Sequence, residues 1–209
     1  IPALAETVAI AKYLLMIEAT KVRAHFGLLS CGASVELIKI AKDKGLPVTA
    51  DVAMHQLHLT ESLTDGFNSL AHVRPPLRAE KDKQLLRQGV KDGVIDAICT
   101  HHEPLSSSAK LAPFAETQPG MTAFDTYVAF GIQLINEGLF EPLEWVEKVT
   151  LAPAKVANMV DRWTEESGWA LVDSKLEWMV SKESILSQGK NTPLINQKVV
   201  GKVVQTFVA

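Results

Sequence analysis

The stretch "AEKDKQLLRQGVKDGVIDAICTHH" (79–102) decides the fold. In its first half Leu85, Leu86 and Val90 fall on one face at helical spacing, and Asp92-Gly93 supplies the stop. Its second half, Val94 to Cys99, is a short apolar run suited to a strand buried on both faces, and it opens onto two adjacent histidines. Helix, tight turn, buried strand and polar strand end make one repeat of a parallel α/β protein.

The same alternation extends upstream. Ala5 to Ala19 reads as an amphipathic helix, with Val8, Ala11, Leu14, Leu15 and Glu18 stepping at helical spacing. Val22 to Leu29 reads as a buried strand. Ser34 is expected to cap a helix from Val35 to Lys44, which Gly45 closes, and a strand follows at Pro47 to Val52. Downstream, a long loop (Glu103 to Gly120) leads to a helix over Ala123 to Asn136 and to helical segments at Leu143–Lys148 and Ala154–Val160. The last part changes character: Leu176–Val180 and Val199–Val208, set off by Gly, Asn and Pro turns, read as antiparallel strands. Residues 1–165 are therefore expected to form barrel-type βα units, and residues 166–209 a small appended β unit.

Only three clear βα units are present, whereas a closed (β/α)8 barrel takes about 250 residues. The chain is expected to be half a barrel plus an appendage, with open sheet edges to be completed by a missing N-terminal half or by another copy of the chain. It starts at Ile1-Pro2 rather than Met, which suggests an internal start.

With 21 basic and 24 acidic residues among 209, the net charge is −3, and no Lys/Arg run offers the field a phosphate backbone requires. Nucleic acid is excluded as an expected partner. Charges interrupt every apolar run before membrane-spanning length, so no membrane is expected either. Two distant cysteines, Cys31 and Cys99, fit reduced thiols and a cytoplasmic location.

In parallel α/β proteins the chemistry gathers at the C-terminal ends of strands. The histidines follow that rule: His25 lies in the first strand, His55 and His58 just beyond the second, His101 and His102 beyond the third. Imidazoles delivered from several strand ends are how barrels build hydrolytic zinc sites. Against this, Glu103 is the sole acid near the pair, and adjacent histidines on extended backbone point to opposite faces. His72 reads as a surface or interface residue. Ser106-Ser107-Ser108 lacks a glycine elbow, and Cys31, placed where a helix start could depress a thiol pKa, has no base beside it in sequence.

Four segments, "ADVAMHQLHLT" (50–60), "RPPLRAEKDKQLLRQGVKDGVIDAICTHHEPL" (74–105), "AKLAPFAETQPGM" (109–121) and "LAPAKV" (151–156), resemble the dihydroorotase family of cyclic amidohydrolases. The tail "LSQGKNTPLINQKVVGKVVQTFV" (186–208) resembles that family's closing β segment, so the likeness is to a C-terminal part only. The resemblance implies the C-terminal half of an amidohydrolase-type (β/α)8 TIM barrel. It also implies a metal-dependent hydrolase fold that interconverts carbamoyl aspartate and dihydroorotate in pyrimidine biosynthesis.

In the family pattern each of two later strands delivers a histidine ligand, and the last delivers an aspartate that also shuttles the proton. Here Leu28 and Gln56 stand at the histidine positions and His101 at the aspartate's. Leu105 stands where a substrate-holding histidine belongs, and Arg74 replaces the asparagine before Pro-Pro-Leu-Arg. This pattern resembles the inactive dihydroorotase-like subunits that associate with aspartate carbamoyltransferase. It implies a pseudoenzyme with no catalytic residues, no metal and no cofactor, oligomeric with the aspartate carbamoyltransferase catalytic chain. The alternative is an active dihydroorotase or cyclic amidohydrolase that cleaves a cyclic amide C–N bond, with zinc held by His55, His101 and His102 together with upstream ligands.

Overall fold

A computed structural model describes residues 1–162 and 168–208. The chain divides into two compact units, the first made of Ile1–Leu63 and Pro75–Cys99, the second of Thr64–Arg74 and the chain from Thr100 onward. The boundary expected at 165/166, and Trp163 beside it, lie outside the described residues.

The first unit runs α1 (Ala3–Thr20), β1 (Ala24–Phe26), α2 (Gly32–Asp43), β2 (Val48–Ala53), α3 (Glu80–Lys91) and β3 (Ala97–Cys99). Its three strands are parallel in the order β1-β2-β3, as consecutive βα units require. One buried cluster joins Ile17, Ala41, Leu46 and Val48 with Leu14, Ala24 and Phe26 against it, and Ile38, Val52, Leu86 and Ile95 are buried in the same unit. Each large aliphatic side chain buried there contributes about 1.5–3 kcal/mol. Helices α2 and α3 approach closely where they carry glycine: a Cβ at Gly32 would lie 2.2 Å from Leu85 Cδ1, and one at Gly89 2.6 Å from Val35 Cγ1.

Three expectations are corrected here. Ser34 is not the cap of α2; Cys31 occupies that position and Ser34 sits inside the helix, its Oγ 3.1 Å from Cys31 Sγ. The first strand ends at Phe26, because Leu28 adopts left-handed backbone with φ 60°. On α1 it is Ile10 and Ile17 that are buried, while Val8 and Leu15 of the expected core face lie exposed.

The second unit holds α4 (Tyr127–Asn136), α5 (Pro142–Val149), α6 (Leu151–Val156) and an antiparallel ribbon, β4 (Trp169–Met179) with β5 (Lys198–Phe207). Trp145 of α5 packs onto Gly131 of α4, where a Cβ would lie 2.1 Å from the indole. The ribbon is anchored on α4 at Gly201, whose absent Cβ would meet Ile132 Cγ1 at 2.7 Å. β4 starts well before the expected Leu176, since two register shifts, at Leu171/Val172 and Asp173/Glu177, carry the polar stretch 173–175 along with the strand. Among the described residues no helix is long and apolar enough to cross a membrane.

Candidate functional site

In the first unit the strand-end chemistry is built by register. Parallel pairing sets His25 of β1 opposite Thr49 of β2, and Asp51, two residues further, projects to the same face. The imidazole bridges both: Nδ1 is 2.9 Å from Thr49 Oγ1 and Nε2 is 2.9 Å from Asp51 Oδ2. The other carboxylate oxygen, Oδ1, accepts the Leu28 N–H at 2.7 Å and the Cys99 thiol at 3.6 Å. Burial pushes the Asp51 carboxyl up, but the hydrogen bond from His25, the Leu28 N–H, the His25 charge and the Cys99 thiol together outweigh it and hold the group below the usual carboxylate range.

A depressed folded-state value means that Asp51 stabilises the fold at any pH above its unfolded value of about 3.9 and loses that contribution as pH falls through its lower folded value. Asp51→Asn should cost about 1–3 kcal/mol at pH 7. Urea midpoints measured between pH 2 and 7 should show the wild-type and variant curves converging at the acid end; parallel curves would contradict this account.

Leu28 is the strained member of the set. A left-handed leucine costs about 1–2 kcal/mol, and its N–H bond to Asp51 is what fixes it there. Gln56 follows β2 in a 3-10 turn, Met54–Leu57, and is buried together with His55. Its Nε2 donates to the carbonyls of Pro75 and Pro76 at 3.2 and 3.3 Å, so this position ties the Pro-Pro loop to the strand end. The Cys31 thiol is pushed up chiefly by burial, helped by the Glu6 charge, which corrects the depressed value its place before a helix suggested.

In the second unit the adjacent histidines face different partners. His101, with left-handed backbone at φ 44°, places Nε2 3.5 Å from Glu103 Oε1. His102 accepts at Nδ1 from two backbone amides, Ala123 N at 3.1 Å and Phe124 N at 3.0 Å. This network assigns the ring proton to Nε2, which lies 3.3 Å from Ser187 Oγ, and that hydroxyl donates to Asp125 Oδ2 at 2.9 Å. The order His–Ser–Asp leaves the serine oxygen tied to a carboxylate rather than activated by a base.

His72 is packed rather than displayed: its ring stacks on Phe114 at 4.8 Å and Nδ1 is 2.7 Å from Thr117 Oγ1. Burial pushes its pKa down, and the Lys110 and Arg74 charges add to this. The Lys110 ammonium, lowered by burial, donates to the carbonyls of His72 and Gln118 at 3.2 and 2.7 Å.

The resemblance implies a metal, and Leu28, Gln56 and His102 as they stand here do not fit one. Leu28 has no donor atom, Gln56 offers a neutral amide whose Nε2 is held by two carbonyls, and the His102 Nδ1 lone pair is directed at two amides. Among the described residues no three His, Cys, Asp or Glu side chains are grouped as a metal ion requires. Asp51 was missed from sequence, although a carboxylate within the apolar run "VTADVA" (48–53) was the available signal. Asn191, which holds the loop after His102, was missed as well.

No family model matches the chain. Among curated proteins it is 38% identical to a dihydroorotase-like protein of Pseudomonas aeruginosa over 211 residues, covering 100% of the chain and 50% of that protein. It is 34% identical to a dihydroorotase of Syntrophus aciditrophicus, again over 100% of the chain and 50% of the relative. The chain thus spans about half the length of the curated relatives it matches. Among solved structures, the D-hydantoinase (dihydropyrimidinase) from Thermus sp. superposes with a TM-score of 0.91 at 18% identity, over 99% of this chain and 48% of that one. The inactive dihydroorotase-like domain of the Chaetomium thermophilum CAD-like multifunctional protein gives 0.70 at 17% identity, over 95% of this chain and 53% of that one. At these identities the structural likenesses establish the fold.

Proposed function

We propose that this chain, which belongs to the dihydroorotase family as the C-terminal half of an amidohydrolase-type (β/α)8 barrel with its small β segment, comes from a dihydroorotase-like protein of pyrimidine biosynthesis that has lost hydrolytic activity and acts as a structural partner of aspartate carbamoyltransferase. The observation that carries this reading is what occupies the three strand ends: Leu28, Gln56 and His101, at the positions where the resemblance implies two ligands and a carboxylate base. General acid–base catalysis alone supplies about 10²–10⁴-fold in rate, and a metal-activated water supplies the nucleophile. Losing both leaves no route to hydrolysis at ordinary enzyme rates. The segments that build the sheet and loops are retained beside the altered positions, which supports a scaffold role.

The test is an assay of carbamoyl aspartate and dihydroorotate interconversion on the full-length protein, with metal analysis of the same sample. No turnover and no stoichiometric zinc are expected. Turnover at enzyme rates with zinc on His55, His101 and His102 would establish the active-hydrolase alternative instead. Mixing the protein with the aspartate carbamoyltransferase catalytic chain should give one species on size-exclusion chromatography; separate elution at micromolar concentrations would remove the partnership while leaving the loss of activity standing.

A further inference from the structure

The sequence holds two Asp-Gly pairs, Asp65-Gly66 and Asp92-Gly93, and no Asn-Gly. Such a pair is chemically labile, because glycine has no Cβ to obstruct attack of its backbone nitrogen on the preceding side-chain carboxyl. How readily each pair reacts depends on how firmly the fold holds that carboxyl and that nitrogen. Both pairs are exposed, so access does not distinguish them.

Asp92 is held. It caps the C-terminus of α3 with right-handed backbone, φ −78° and ψ −4°. Its Oδ1 accepts from Gln88 Nε2 at 2.7 Å, which ties the carboxylate to the preceding turn, and the Gly93 N–H donates to Val90 O at 3.2 Å. Asp65 lies in the exposed loop between β2 and α3. With φ −56° and ψ 141° at Asp65 and φ 70° and ψ 17° at Gly66, the pair forms the centre of a type II turn. Among the described residues no hydrogen bond or ion pair holds the Asp65 carboxylate. Phe67 follows in left-handed backbone at φ 61°, a strained conformation for an aromatic residue, and 80% of it is exposed.

We propose that Asp65 is a modification site, where the chain isomerises spontaneously to isoaspartate while Asp92 stays intact. The Gly66 nitrogen attacks the Asp65 side-chain carboxyl carbon and forms the N–Cγ bond. The carboxyl OH and the amide proton leave as water, which gives a five-membered succinimide. Water then adds at either ring carbonyl: opening at the side-chain carbonyl restores aspartate, and opening at the main-chain carbonyl gives isoaspartate, whose backbone runs through the side-chain carbon. One water leaves and one returns, so the net change is a rearrangement without any other reactant. The isoaspartyl link lengthens the main chain by one carbon beside Phe67, which lets that residue leave its left-handed conformation and moves its exposed ring.

The test ages the full-length protein for weeks at neutral pH in water enriched in heavy oxygen, then maps isoaspartate by peptide mass spectrometry with electron-transfer fragmentation. New isoaspartate carrying one heavy oxygen is expected at position 65 at least about tenfold above position 92, a ratio that the two hydrogen bonds holding Asp92-Gly93 supply at ordinary strength. In urea, where neither turn persists, the two pairs should react within about threefold of each other. Asp65→Glu, which would need a larger ring, should remove the signal at 65 and leave that at 92 unchanged. Equal yields at 65 and 92 in the folded protein overturn the proposal, as does a yield at 65 no higher than at Asp43, which no glycine follows. New isoaspartate without heavy oxygen would not have passed through the ring and overturns it too. The inference stands apart from the catalytic reading, since it uses none of the residues on which loss of activity rests.

Discussion

Asn191→Asp should destabilise the protein by about 3–5 kcal/mol, although the two side chains are nearly the same size. Asn191 is buried and uses its amide completely. Oδ1 accepts the Leu105 N–H at 2.7 Å and lies 2.8 Å from Thr122 Oγ1, while Nδ2 donates to the carbonyls of Glu103 and Gly120, both at 3.0 Å. An aspartate keeps the accepting half and turns the donating half into an oxygen aimed at two carbonyl oxygens. That leaves a buried charge and two buried acceptors without donors. Asn191→Ala loses the same bonds without the charge, so it should cost less, about 2–4 kcal/mol. Burial beside two carbonyls raises the pKa of the introduced carboxyl, so as pH falls it takes up a proton and regains one donor, and the gap between the two variants should narrow. Urea midpoints at pH 7 and at about pH 3.5 check both statements; an Asn191→Asp variant within about 1 kcal/mol of wild type would show that the loop is held by something else.

The partners of Asn191 also mark how far the sequence could be read. The α3–β3 repeat was legible within a few residues because its helical spacing, Asp-Gly stop and apolar run are all local signals. The histidines were placed at strand ends for the same reason. What they bond to was not legible, because Asp51 lies 26 residues from His25, and the Asn191 bonds span 86 and 88 residues. No short-range pattern specifies such pairs. Leu28 carries no sign of its left-handed backbone, which is imposed by a carboxylate on the neighbouring strand. On α1 the core face was misread because apolar residues lie on most sides of the helix, so spacing alone could not choose Ile10 and Ile17 over Val8 and Leu15.

Gly189→Ala should cost about 3 kcal/mol or more, at the upper end of what overpacking does, because the added methyl meets backbone rather than a movable side chain. A Cβ at Gly189 would lie 2.4 Å from Leu105 N, 2.6 Å from Pro104 C and 2.7 Å from Leu105 O. The loop after His102 must then retreat, and its Leu105 N–H is the one that Asn191 holds. The two substitutions therefore act on one structure and cannot add. In an Asn191→Ala background the loop is already released, so Gly189→Ala should cost about 1–3 kcal/mol less than it does in wild type. Gly27→Ala serves as the contrast: its Cβ would meet only Asp51 Oδ2 at 3.8 Å, an ordinary contact, and the change should be within about 1 kcal/mol of neutral. A double-mutant cycle with a coupling near zero would mean that Gly189 and Asn191 support the loop independently. A coupling of the expected size would mean that one clasp, formed by the segment 189–191, fixes the backbone on which His101, Glu103 and Leu105 stand.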